Sequence, residues 1–472
     1  MNVKTLCQLL ASIPFFCISA VGHAEQIIHP NPDGLISVAS DDFNAEFFSI
    51  FKGLEVLANG TLTNNSGASI FNTTSQLNNS GVLNNYGRLN SQYSSTLTNS
   101  GTINNNNVLQ SYGNSTLNNS GSLNNSGRFF IDNDSTFINS GLLSTSGTMI
   151  SNGSMINSGA INSSGDTSFN TLVNNGTLTT SGILINKQHF TNNNTLVVTG
   201  GTFFNYAPLI NNGTLIAEIG GRLVNGNAIS LDNRGTITNQ GPAEIGGVLT
   251  NSGIINNSGS MVSYAAITNT GTWNNAGKLT GVGRYLQTAG QTTVNGEFAQ
   301  ASIKIDGGSL SGTGSITGNA VIGSAGSVEL GSSPGTLTIN GDFSSSGNLL
   351  FNLSGADAGA IDLLTITGLG SFNGGSVQVN LLNGIQPVAG NTWKFLSAKT
   401  ITGWESLSLV VNGLDAGLGW TMADTGSGMA LSITAAVPES ETYAMLLSGL
   451  ALLGAAVRRR RRAQRAYKLT QS

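Results

Sequence analysis

The chain is 472 residues long, enough for several globular domains, yet only 9% of its residues are charged and 63 are glycine, against roughly 25% charged in ordinary soluble proteins. A 39% hydrophobic share, evenly spaced, excludes simple disorder, which lacks a regular apolar supply, and points to a repeat architecture. The chain has 19 Lys+Arg and 23 Asp+Glu; setting aside Lys4, Glu439, Glu441, Arg458 to Arg462, Arg465 and Lys468 leaves a body with 11 and 21, whose acidic balance argues against nucleic acid or anionic membrane as a partner.

In chain order, residues 1–24, MNVKTLCQLLASIPFFCISAVGHA, read as a secretory signal peptide. A lone Lys4 precedes an apolar run, and the small residues Gly22 and Ala24 precede a cut between Ala24 and Glu25. Both cysteines, Cys7 and Cys17, lie inside it, so the mature chain is expected to carry neither a structural disulfide nor a thiol nucleophile. Residues 25–56 lack the repeat that follows but contain Phe43, Phe47, Phe48 and Phe51. They are read as an N-terminal cap that buries aromatic side chains over the open end of a stack.

From 57 to 324 an aliphatic or aromatic residue returns in steps of six, six and eight. Leu77, Leu83 and Leu89 lead to Leu97; Leu97, Ile103 and Leu109 lead to Leu117; Leu117, Leu123 and Phe129 lead to Phe137. Leu57, Leu62 and Ile70 lead to Leu77, again a 20-residue step, and Phe203, Leu209, Leu215 and Leu223 repeat six, six, eight. Leu249, Ile255, Met261, Ile267, Trp273 and Leu279 keep the six without the eight. One inward residue in six is too sparse for an amphipathic helix but suits a short strand and a bend. Three such units make one coil of a parallel β-solenoid of about 20 residues per coil, the two extra residues lengthening one corner.

Asn79, Asn85, Asn99, Asn105, Asn119, Asn125 and Asn139 all fall two places after the apolar position. They are expected at the bends, where Asn tolerates left-handed backbone angles, with stacked side chains able to form ladders. Gly81, Gly87, Gly101, Gly121, Gly127 and Gly141 are expected to supply positive φ there. Such coils look like the right-handed helices of secreted haemagglutinin-like and autotransporter passenger proteins. Residues 325–436 show longer strands with clean alternation, as in Ser376-Val377-Gln378-Val379. Their S-P-G-T-L-T-I-N-G-D-F and G-N-T-W-K-F-L runs resemble the last part of autotransporter-type passengers, which implies a C-terminal β cap and no activity.

Residues 437–472 carry the most specific signal. Val437, Pro438, Glu439 and Ser440 precede an apolar run from Tyr443 to Val457 that contains Gly449 and Gly454, and Arg458, Arg459, Arg460, Arg461 and Arg462 follow. The order of motif, apolar segment and arginines closely resembles the PEP-CTERM sorting signal of exopolysaccharide-producing Gram-negative bacteria. The resemblance implies a single C-terminal transmembrane helix, transient attachment to the inner membrane, arginines held on the cytoplasmic side, and cutting near the motif by an exosortase-type processing enzyme. Ser440 stands where that family has a second Pro. A tail of this kind is not the alternating-strand β-barrel that ends an autotransporter.

Chemistry is sparse. His29 and His189 are the histidines beyond the signal, and Lys187, Gln188 and Phe190 beside His189 suggest neither a triad nor a zinc site. Asp132-Asn133-Asp134 and Asp41-Asp42 are read as turn residues rather than a calcium site. No catalytic, cofactor or metal residue is assigned. The sequence reads as an exported structural or adhesive surface protein, associated with exopolysaccharide or biofilm. A polysaccharide-active β-helix enzyme, a lyase or hydrolase, is the rival reading; the outward positions between Leu62 and Leu279 are overwhelmingly Ser, Thr and Asn, with few carboxylates in register.

Overall fold

The six-residue beat becomes a stack of inward-facing side chains. In the computed structural model, which describes residues 16–17, 34–331, 334–415, 417–435 and 440–469, the body is an all-β parallel β-solenoid of about 16 turns. Each coil has three sides. Leu77, Leu97, Leu117 and Phe137 lie over one another on the first. Leu83, Ile103, Leu123 and Leu143 do so on the second, and Leu89, Leu109, Phe129 and Met149 on the third. All twelve are wholly buried, each contributing about 1.5–3 kcal/mol of apolar burial. With coils about 4.8 Å apart, sixteen of them make a rod of roughly 75 Å.

Coil length varies along the rod, falling below 20 residues between Asn139 and Asn157 and rising to 22 between Asn211 and Asn233. Asn99 and Asn119 are 20 residues apart in adjacent coils, whereas Asn139 and Asn157 are separated by 18. Where the shortening sets in, the third and first sides merge, so that Thr148–Asn157 and Ile183–Asn192 each run ten residues through the former corner. In the longer coils that corner bends sharply, with Tyr93, Ser94 and Asn114 at φ of 56°, 64° and 62°.

Four expectations are corrected. Leu57 is 41% exposed; Leu54 takes the core position below Leu77, because the first coil has a longer turn. The segment expected as an N-terminal cap already runs as a coil from residue 36. Ile36–Val38, Asp41–Asn44 and Phe47–Ile50 pair in parallel with Leu54–Val56, Thr61–Asn64 and Ser69–Thr73. Of its aromatic residues Phe48 is buried, but Phe47 and Phe51 are 66% and 57% exposed, since alternation points them outward. The ladder asparagines are not bend residues with left-handed angles; they end the strands with side chains turned inward.

The glycines give the fourth correction. Gly81, Gly101, Gly121 and Gly141 do not adopt positive φ. Instead, a Cβ at Gly101, Gly121 or Gly141 would lie 2.1, 2.0 or 2.2 Å from the glycine carbonyl oxygen of the coil below. Glycine is there so that neighbouring coils can approach.

Beyond residue 340 the strands lengthen, and Ser376–Leu381 joins Asn348–Leu353 and Ser408–Asn412 in parallel. The stack then closes with antiparallel pairing of Thr392–Thr402 with Gly428–Ala435, and of the latter with Leu418–Asp424. This pairing covers the final strand edge of one side.

Ser440–Leu469 is a helix of 30 residues. Its apolar run of 15 spans about 22 Å at 1.5 Å per residue, short of a hydrocarbon core about 30 Å thick. No described helix is long and apolar enough to cross a membrane, so the expected single transmembrane helix is not met on apolar length.

One core position carries a pH signature. Tyr285 is buried beneath Trp273 and Phe298, at 5.8 and 4.9 Å between ring centroids, and its hydroxyl shares a hydrogen bond with Thr292. Burial pushes its pKa up, against smaller opposing effects of hydrogen bonds with Thr292 and Asn269. An unfolded tyrosine ionises near pH 10, whereas the folded one keeps its proton further into alkali. Its contribution is therefore complete below about pH 10 and is lost as pH rises toward the folded value. Alkaline denaturation followed by phenolate absorbance should show Tyr285 ionising only as the rod opens. Tyr285→Phe should flatten that part of the alkaline stability slope while lowering stability at neutral pH, where Thr292 loses a partner.

Candidate functional surface

Two kinds of polar column follow from the repeat. The inner kind ends the strands of the first side. Asn79 donates from Nδ2 to Oδ1 of Asn99 at 2.6 Å, and Asn99 to Asn119 at 2.6 Å. The chain of donations continues through Asn139, Asn157, Asn174, Asn192, Asn211, Asn233 and Asn251 to Asn269, and ends on Gln287 at 3.3 Å. Nδ2 also donates to a main-chain carbonyl of the next coil, as Asn99 does to Ser122 at 3.0 Å. The amide dipoles all point one way, so each bond polarises the next.

A second inner ladder runs from Asn44 to Asn125 and passes to Thr145. It resumes at Asn239, which donates to Asn257. A third joins Asn186, Asn205 and Asn225. The first rung of each of three runs has no donor below it: Oδ1 of Asn79, Asn186 and Asn239 finds no partner among the described residues. The residues beneath are Val56, Phe169 and Ala217, apolar side chains with no proton to give.

The outer kind faces solvent. On the second side Asn104 donates to Asn84 and Asn124 to Asn104, both at 2.9 Å. The corner residues Tyr86, Asn106, Ser126, Ser146, Ser164 and Ser181 stand beside this column, and the two together line a groove of about 500 Å³. Ser126 donates to Oδ1 of Asn106 at 2.8 Å, and Tyr86 is 48% exposed at one end. No residue lining the groove is charged. Such a surface offers many amide and hydroxyl donors and acceptors, with one aromatic face. It has no pair of acid and base.

The residues singled out from the sequence are dispersed. His189 is exposed, with Oγ1 of Thr191 as its neighbour at 3.4 Å. Asp132 and Asp134 are exposed in a turn. Asp42 is nearly buried, and its carboxyl is shifted upward by burial first and by the Asp41 charge second. Among the described residues no three His, Cys, Asp or Glu side chains gather to hold a metal ion. Arg222 pairs with Glu244, and Arg234 with Asp232 at 2.7 Å, on half-exposed surface. Ala24, Glu25, His29, Val437, Pro438 and Glu439 lie outside the described residues. Ser440 opens the terminal helix, Gly449 and Gly454 have open space around them, and Arg458 to Arg462 are exposed along it.

The groove was not singled out from the sequence. Its trace is the doubled Asn of Asn84-Asn85, Asn104-Asn105 and Asn124-Asn125: the second of each pair turns inward to a ladder and the first turns out.

No family model matches the chain, and no curated protein does. Among solved structures, the crystal structure of the Haemophilus influenzae Hap adhesin matches 82% of this chain at 12% identity with a TM-score of 0.22. The chain spans 64% of the length of that adhesin chain.

Proposed function

We propose that the protein is an exported, rod-shaped structural or adhesive component of the cell surface or extracellular matrix. The observation that carries the reading is the outer face of the second side: amides and hydroxyls repeated in register along the rod, lining a groove that holds no charged residue. A surface of that kind holds hydrated polysaccharide through many weak contacts whose sum is tight. Its tail supplies the route. The motif at Val437 to Ser440, the apolar helix and the arginines resemble the PEP-CTERM arrangement, so the rod is delivered by its leader, held briefly at the inner membrane, and released or transferred by an exosortase-type enzyme into an exopolysaccharide or biofilm setting. The short apolar run is compatible with such transient attachment, because the long arginine side chains reach the interface from below it.

Intact-mass and C-terminal peptide measurements on protein from culture fluid, cell surface and inner membrane test this. A surface or released form that ends near Glu439 and lacks the arginines is the expected result. Finding only full-length tail in the inner membrane would remove the extracellular reading, and would place the fault at Ser440.

A further inference from the structure

We infer that the groove on the second side of the rod is a binding site for a neutral, linear glycan that lies along the rod axis, with about one sugar ring per coil. The inference rests on the polysaccharide-binding reading above and narrows it to one surface and one charge class.

Three observations carry it. The floor is a column in register, Asn84, Asn104 and Asn124 followed by Ser144 and Asn162 in the next coils. Each coil therefore places a polar side chain at the same position after roughly 4.8 Å, close to the advance of an extended chain of pyranose rings. Six coils take part between Tyr86 and Ser181, which gives a length of about 24 Å at that spacing. A ligand built of identical units matches a site built of identical units.

The second observation is charge. A uronate or sulfated polymer is held most strongly by charge-assisted bonds from Arg or Lys, and the groove lining holds only Asn, Ser, Thr and one Tyr. Amides and hydroxyls there can both donate to and accept from sugar hydroxyls, the chemistry that distinguishes a neutral glycan from water by geometry rather than by field.

The third is Tyr86. It is the aromatic residue of the lining, half exposed at the end where the groove begins, while the same corner position holds Asn106, Ser126, Ser146, Ser164 and Ser181 in later coils. An aromatic face placed there gives the apolar side of a terminal sugar ring a platform and fixes where the chain starts.

The test uses the full exported chain and titration calorimetry. The probes are a neutral β-linked gluco-hexasaccharide, the corresponding trisaccharide, and a polyuronate. The expected result is that the hexasaccharide binds at least tenfold more tightly than the trisaccharide, with affinity unchanged by added salt. Tyr86→Ala should weaken the hexasaccharide about three- to tenfold, the loss of one aromatic contact. Ser146→Leu, a change at an exposed corner that leaves the ladders untouched and fills the groove with a side chain that neither stacks on a sugar ring nor hydrogen-bonds, should weaken binding at least tenfold while the melting profile stays in place. Polyuronate binding that falls steeply with salt and ignores Ser146→Leu would overturn the groove inference and leave the adhesive reading standing. Failure of both charge classes to bind would overturn the groove inference and remove polysaccharide from the proposed function as well.

Discussion

Asn119→Leu is expected to destabilise the rod by about 3 kcal/mol, since it leaves two or more buried polar groups without partners at roughly 1–3 kcal/mol each. Asn119 accepts from Asn99 at 2.6 Å, donates to Asn139 at 2.7 Å, and donates to the Leu142 carbonyl at 3.0 Å. Leucine fills the space and supplies none of these bonds. Oδ1 of Asn139 would join the unpartnered acceptors that now occur at the starts of the ladders. Asn119→Thr should cost less, because the protein already makes this replacement at Thr145, whose hydroxyl accepts from Asn125 at 2.9 Å and keeps one of the three bonds. Stability in a stacked repeat is a sum of local and nearest-neighbour contributions, so the loss should be local. Denaturant unfolding should show the difference between the two variants, and hydrogen exchange should place faster opening in the coils around residues 99–142 only. Equal losses for Leu and Thr would mean that the ladder contributes packing rather than hydrogen bonds.

The solenoid was legible because its core is one residue deep. A single inward apolar side chain per strand leaves a period of six in the text, and the register of Leu77, Leu97 and Leu117 follows directly. The start of the rod was not legible. There Leu54 and Val56 occupy the core and Leu57 lies outside, and a longer turn shifts the beat by a few residues without changing the composition. The ladders were half legible: the Asn spacing was plain, but whether the side chain turns into the core or caps a bend depends on the strand's last φ and ψ, which composition does not encode. Asn85 and Asn84 differ by one position, and pleating alone sends one to the interior and the other to the groove.

The two columns also divide the labour of the fold. The inner ladders point their amides along the axis and bind each coil to the next, so that side chains able to recognise ligands are spent on cohesion. The outer column is thereby held at a fixed repeat by a scaffold that has no other use for it. A groove of uniform spacing is a consequence of that rigidity, and it would blur if the coils could slide. The route from sequence to surface chemistry therefore passes through the buried asparagines.

The same dependence on close stacking makes the corner glycines the second test. Gly121→Ala is expected to cost about 2–3 kcal/mol, the range for forcing extra volume into a packed site, and Gly121→Val more. The added Cβ would meet Gly101 O at 2.0 Å and Ser100 C and O at 2.6 Å, and these are main-chain atoms that cannot swing aside. The coils must separate there. The structure shows what that separation looks like, because two corner positions carry Asn instead of Gly. Below Asn107 and Asn194, the main-chain bonds from Val108 to Gly87 and from Thr195 to Gly176 are 3.2 Å, at the long end beside glycine corners such as Ser122 to Gly101 at 2.8 Å and Thr202 to Gly182 at 3.1 Å. Each Asn recovers a bond by donating to a carbonyl of the coil below, Asn107 to Tyr86 at 3.1 Å and Asn194 to Asn175 at 3.2 Å. Gly121→Asn should accordingly be the mildest of the three changes, although Asn is larger than Ala. Melting midpoints of the three variants decide the matter. The order Asn, Ala, Val from least to most damaging supports steric exclusion relieved by a hydrogen bond. An order set by side-chain volume alone, with Ala mildest, would mean that the bond to the coil below recovers nothing.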